Sequence, residues 1–267
     1  MQAGIIDVNE KNLKDYPHVI CFINPKHQYY ALKIEWLRAR FREGLKIKLL
    51  TLPGENRPVG FIEYVPGEKC WRAVDAAGFI FIHCLWTNGK KYQHQGLGAQ
   101  LLEEVERDAV GSRGVAVLTS DSSFMAGRDI FLKHGYSLAA EDGKEQLLVK
   151  YAAEDPDGKS SLGSSANPSQ SSPGPVIKDW RSVLSNYQDF TIIYSRQCPW
   201  VARFMEEVKP VLQDWNLKPE ISELKTPAEA QKAPSLYATF NLIYRGQLLA
   251  DRYISVTRFK NILKKTF

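Results

Sequence analysis

Gln93, Gly96 and Gly98 stand at a Gln-x-x-Gly-x-Gly spacing between an apolar run and an amphipathic one. The run over residues 78–86 (GFIFIHCLW) predicts a buried strand. After it, Leu97, Leu101, Val105 and Ala109 recur on one helical face, with Leu102 beside them. Two glycines therefore fall at a helix start. First-turn N–H groups have no partner inside a helix, and the dipole adds partial positive charge there. Glycine leaves room for a phosphate to reach those groups. The chemistry indicated is pyrophosphate binding by Gln93, His94, Gln95, Gly96, Leu97, Gly98 and Ala99. The competing reading is a plain tight connection between strand and helix. A nucleotide-hydrolase loop needs Lys and then Ser or Thr after the last glycine, where Ala99 and Gln100 stand. A dinucleotide fingerprint needs a third glycine where Leu101 stands.

Three further residues could do chemistry. Glu63 interrupts the apolar stretch 60–65, and His83 interrupts the stretch 79–86. A polar group in a buried strand needs a partner or a cavity. Each is either a satisfied structural group or a general base. Cys198 precedes Pro199, a residue suited to the first helical position, so its thiol is expected at a helix start with a lowered pKa. It is either a reactive monothiol or chemically silent. Cys84 reads as a small core hydrophobe. Trp71, Arg72 and Asp75 either line an acceptor pocket or form a surface turn.

The elements that must position these groups follow from periodicity. A helix is expected between Gln28 and Phe41, with Ala31, Ile34, Leu37 and Phe41 inward and Lys33, Arg38 and Arg40 in water. Strands are expected over 46–51, 59–65 and 115–119. The 267 residues suffice for two domains. No apolar run approaches the roughly 18 residues of a membrane helix, and the first residues do not read as a signal peptide. Four cysteines without a C-x-x-C pair fit a reduced, cytoplasmic setting. The five histidines lack metal spacing, so no metal is expected. A net charge of +5 without a basic, aromatic-interleaved stripe argues against nucleic-acid binding. Lys90 and Lys91 stand where they would favour an anionic cofactor.

The Gln-x-x-Gly-x-Gly loop resembles the coenzyme A loop of the GNAT superfamily of N-acetyltransferases. Phe131-Leu132-Lys133-His134-Gly135-Tyr136 resembles that family's second signature. The expected order of strand, helix, three strands, loop-helix, strand, helix and two strands matches the GNAT order over about residues 1–151. The resemblance implies an α/β (α+β) fold with a mixed, mostly antiparallel sheet. It also implies acetyl-CoA as co-substrate and direct acetyl transfer to an amine, here a small molecule. Backbone groups at Cys84, Leu85 and Trp86 would meet the pantetheine arm and the oxyanion. The family's usual proton donor, a tyrosine, is replaced by Phe131. Tyr136 is expected to pack in the core.

Residues 152–175 are Ser-, Gly- and Pro-rich and read as a flexible linker. Beyond them, strands are expected over 190–194 and near 221–224, with a hairpin over 236–244 and 247–253. A helix bent at Pro210 follows Cys198, and a last helix spans 256–264. This order resembles the thioredoxin-like fold. Cys198-Pro199-Trp200-Val201 is similar to a glutaredoxin tetrapeptide lacking its second cysteine, and Ala233-Pro234-Ser235 to the family's cis-proline turn. The whole resembles the YoaP-type GNAT subgroup, with an acetyltransferase domain at 1–151 and a thioredoxin-like domain at 176–267. The rival expectations are a thiol-binding or monothiol redox protein with an acetyl-CoA-sensing domain, and a non-catalytic interaction protein.

Overall fold

A computed structural model of the chain describes residues 3–17, 24–92, 95–120, 126–152 and 173–267. Gln93, His94, Cys21 and most of the expected linker lie outside them. In chain order the elements begin β1 (Gly4–Val8), α1 (Tyr30–Phe41), β2 (Lys46–Thr51), β3 (Gly60–Pro66), β4 (Val74–Asp75) and β5 (Ile80–Thr87). Next come α2 (Leu97–Asp108), β6 (Gly114–Ser120), α3 (Arg128–Lys133), β7 (Ser137–Asp142), β8 (Glu145–Tyr151) and β9 (Val176–Ile177). Then follow β10 (Thr191–Tyr194), α4 (Pro199–Glu207), α5 (Lys209–Asp214), β11 (Glu220–Glu223) and α6 (Pro227–Ala230). The last are β12 (Phe240–Tyr244), β13 (Gln247–Ala250) and α7 (Val256–Thr266). No described helix is long and apolar enough to cross a membrane.

The chain forms two compact units that interleave in sequence. One comprises residues 1–22, 38–70 and 75–177, the other 23–37, 71–74 and 178–267. In the first, a sheet runs β1-β2-β3-β5-β6-β8-β7. Its neighbouring strands are antiparallel except β5 and β6. Parallel neighbours need a crossover, and α2 supplies it. Leu97, Leu101, Leu102, Val105 and Ala109 of that segment are buried, as the stripe predicts, against Ile62, Tyr64, Ile82 and Leu85 of β3 and β5.

Polar contacts tie the end of α2 to the sheet. Asp108 accepts from Tyr64 Oη at 2.5 Å, Lys46 Nζ at 2.9 Å and Lys48 Nζ at 3.2 Å. Burial pushes the Asp108 carboxyl up, but these bonds outweigh it and hold it below its ordinary value. Its contribution to stability is therefore present above the ordinary carboxylate range and fades as pH falls through the lowered value. Asp108→Asn is expected to cost about 1.5 kcal/mol at neutral pH. In urea titrations the gap from wild type should close below about pH 4.

In the second unit the sheet runs β11-β10-β12-β13, with β10 and β11 parallel and the other pairs antiparallel. Its core joins Ile192, Phe204, Val208, Phe240, Leu242 and Phe259. Several expectations need correction. The helix after Cys198 divides into α4 and α5 around Val208, because Pro210 removes a backbone donor one turn on. Strand pairing starts at Phe240 rather than 236, after a left-handed Ala238. No described peptide bond is cis, so Ala233-Pro234-Ser235 keeps the trans form that X–Pro bonds favour.

Helix α1 also departs from its expected stripe. Lys33 and Arg40 are buried at 3% and 7% exposure, whereas Ala31 is exposed. Lys33 lays its ammonium 4.0 Å from the Trp36 ring centroid. Arg40 pairs with Glu43 at 2.8 Å. Burial lowers the Arg40 pKa, and Glu43 works against that shift.

Candidate active site

The site is built where β5 leaves β6. The two strands pair only from Ile80 opposite Val115 to Ile82 opposite Val117. Beyond that point β5 continues to Thr87 and β6 to Ser120 without pairing each other. A narrow cleft opens there, lined by His83, Cys84 and Leu85 of β5, Val117 and Leu118 of β6, and Phe131 of α3. Backbone groups on facing strand edges are the hydrogen-bonding equipment that an extended, amide-bearing ligand needs.

The pairing of β3 with β5 slips between Glu63 and Tyr64. Glu63 lies opposite Cys84, but Tyr64 lies opposite Ile82. His83 is the extra residue of a β-bulge. Both base candidates are buried, His83 at 2% and Glu63 at 5% exposure. They meet: His83 Nδ1 is 3.3 Å from Glu63 Oε1. Phe81 stands edge-on to His83 at 5.9 Å between centroids. Two residues that the sequence offers as alternatives are thus one pair. Cys84 is half-buried and borders the cleft, so it is not the enclosed core residue expected of it.

The helix start beside the cleft fits an anion. Gly96 caps α2 with φ +74, in the left-handed region, and no side chain caps the first-turn N–H groups. A Cβ at Gly96 would meet nothing within 4 Å, so the approach is open. A Cβ at Gly98 would come 2.7 Å from Ile130 Cδ1, so this glycine serves the packing of α2 against α3. Gln95 Nε2 donates to the Lys91 carbonyl at 2.5 Å and closes the turn before the helix. Leu97 is buried and Ala99 partly so. Leu85 is buried, and Trp86 is 40% exposed. Lys91 is already engaged: its ammonium pairs with Glu55 at 2.8 Å, and that bond raises its pKa to about 12.

Phe131 is buried in the core and edge-on to Tyr136 at 5.5 Å. Neither offers an exposed phenol. Tyr136 is buried as expected, and burial next to Glu106 raises its pKa well above the ordinary value. Trp71 and Arg72 are buried in the second unit and do not line the cleft, and Asp75 is exposed. Arg72 Nη1 donates to Gln197 Oε1 at 2.8 Å, beside Cys198.

Cys198 caps α4 as expected, but its acidity does not follow from that position. Burial pushes the thiol up; backbone N–H groups of Val201 and Trp200 and the charges of Lys33 and Arg72 only offset part of that rise. The sequence showed the helix start and not the packing over it.

Residues 10–136 match the model of the acetyltransferase (GNAT) family. Over that stretch the chain is similar to the GNAT acetyltransferases, and the chain is an acyltransferase. A protein of Bacillus subtilis (strain 168), named uncharacterized N-acetyltransferase YoaP, is 25% identical over 268 residues, covering 97% of each chain. Among solved structures, the PaiA N-acetyltransferase of Thermoplasma acidophilum, in complex with coenzyme A, aligns with 57% of this chain and 99% of its own at 15% identity and a TM-score of 0.38. An acetyltransferase from Thermus thermophilus aligns with 57% of this chain and 97% of its own at 19% identity and a TM-score of 0.38.

Proposed function

We propose that the chain transfers acetyl from acetyl-CoA to a small-molecule amine, with His83 as general base and Glu63 holding it. The observation that carries this reading is the parting of β5 from β6 between an open helix start and a buried His–Glu pair. The first-turn N–H groups of α2, from Leu97 to Ala99, would hold the pyrophosphate. The unpaired edge of β5 at Leu85 and Trp86 would receive the pantetheine arm, and a backbone N–H there would stabilise the oxyanion. Bound acetyl-CoA supplies the activated acyl group. The residues of the chain do the rest. His83 takes the ammonium proton, directly or through one water, so that a neutral amine can attack. Glu63 Oε1, 3.3 Å from His83 Nδ1, would offset the positive charge the ring gains. Phe131 cannot protonate a leaving thiolate, so in this reading that proton would come from His83. In the second unit, the strand order β11-β10-β12-β13 and Cys198 at the start of α4 support a thioredoxin-like reading.

Calorimetry tests the cradle. Gly96→Glu puts a carboxylate in the open approach and a side chain on a left-handed residue. It is expected to weaken acetyl-CoA binding about 100-fold, the equivalent of one or two charge-assisted hydrogen bonds. Gly96→Ala, which adds strain without charge, reports the backbone contribution alone. Equal binding by folded Gly96→Glu and wild type would refute the cradle.

A further inference from the structure

We propose that Cys84 is an acyl-accepting thiol that takes the acetyl group from acetyl-CoA when no amine is present. The inference rests on the acetyl-CoA reading above and adds a covalent modification site to it.

The register carries the argument. Directly opposed residues of antiparallel strands share a face, so Cys84 lies on the face of Glu63. Strict alternation would send His83 to the other face. The bulge cancels that alternation at one residue. Ile82 and Leu85, which flank the pair, both join the core packed under α2. His83 and Cys84 are therefore both left to the opposite face, where Glu63 reaches His83 Nδ1 at 3.3 Å. Both also border the cleft where β5 parts from β6. Thiol, imidazole and carboxylate thus lie in the order of nucleophile, base and orienting group. Of the other described cysteines, Cys70 is fully buried and Cys198 belongs to the second unit.

The step balances without an oxidant. His83 takes the thiol proton of Cys84. The sulfur attacks the acetyl carbonyl carbon, and the bond from that carbon to the coenzyme sulfur breaks. The departing thiolate takes the proton back from His83. One thioester and one thiol give one thioester and one thiol, so excess coenzyme A reverses the exchange.

The test is intact-mass measurement of the full chain incubated with acetyl-CoA and no amine. The expected result is one added acetyl, mapped to Cys84 by digestion, removed by neutral hydroxylamine and reversed by coenzyme A. Cys84→Ala is expected to abolish the adduct and Cys198→Ser to retain it. His83→Gln should slow its appearance about 100-fold. If calorimetry shows acetyl-CoA bound and no acetyl reaches Cys84, the thiol proposal fails and the cofactor reading stands. An adduct that persists in Cys84→Ala overturns the proposal too. If acetyl-CoA does not bind the wild-type protein, both readings fall together.

Discussion

His83→Ala is expected to lower kcat for amine acetylation by about 10² to 10⁴-fold, the range a positioned general base contributes. Acetyl-CoA affinity should change far less, because the helix start proposed to hold the pyrophosphate begins at Leu97, after β5 ends at Thr87. Glu63→Gln is a milder change. An amide keeps the size and shape of the carboxyl beside Nδ1, but the negative charge that offsets the imidazolium is gone. A drop of about 10-fold in kcat is expected, equal to about 1.4 kcal/mol of transition-state stabilisation. A structural role for the pair would look different. It would lower the urea midpoint of both variants and leave kcat of the folded fraction unchanged. Steady-state rates, acetyl-CoA calorimetry and unfolding curves on the same preparations separate these outcomes. Folded variants with wild-type kcat would remove the pair from the mechanism.

The residues of that pair were readable from sequence, but their meeting was not. Glu63 and His83 stand out because charge and imidazole are rare in strands this apolar. Which of them faces the other depends on register, and period-2 alternation cannot reveal a bulge. The same blind spot made Cys84 look like a core residue. The glycine loop was readable because its requirement is local: a positive φ at Gly96 and close packing at Gly98. The stripe of α2 was readable because all its partners are apolar. The stripe of α1 was not, since Lys33 and Arg40 are buried through an aromatic face and a carboxylate that periodicity ignores. Pattern reading assigns charge to water unless a partner is visible nearby in sequence. The desolvation that pushes the Cys198 thiol up did not show for the related reason that it is a tertiary property.

Trp71→Ala is expected to destabilise the second unit by about 3 to 5 kcal/mol, as deletion of a buried aromatic does. Trp71 is fully buried and stands edge-on to Trp36 at 5.4 Å between centroids. Its neighbours are stitched to the C-terminal residues by backbone bonds. Ala73 N–H donates to the Leu236 carbonyl at 3.0 Å, and Lys178 N–H donates to the Ala73 carbonyl at 2.9 Å. Arg72 adds its bond to Gln197 and a second, at 3.3 Å, to the Tyr237 carbonyl. These contacts all fall inside the unit formed by residues 23–37, 71–74 and 178–267. A chain cut in the Ser-rich stretch would therefore split this unit. A fragment of residues 178–267 made alone should be less stable than the same residues in the full chain, with faster hydrogen exchange in β10 and β12. Trp86→Ala is the control, because a 40% exposed side chain outside such a cluster should change stability by only about 0.5 kcal/mol. If the isolated fragment matches the full chain in stability and exchange, residues 23–37 and 71–74 are not structural members of the second unit. Amide exchange read by mass spectrometry gives that answer segment by segment, and it does so whether or not the acceptor amine is known.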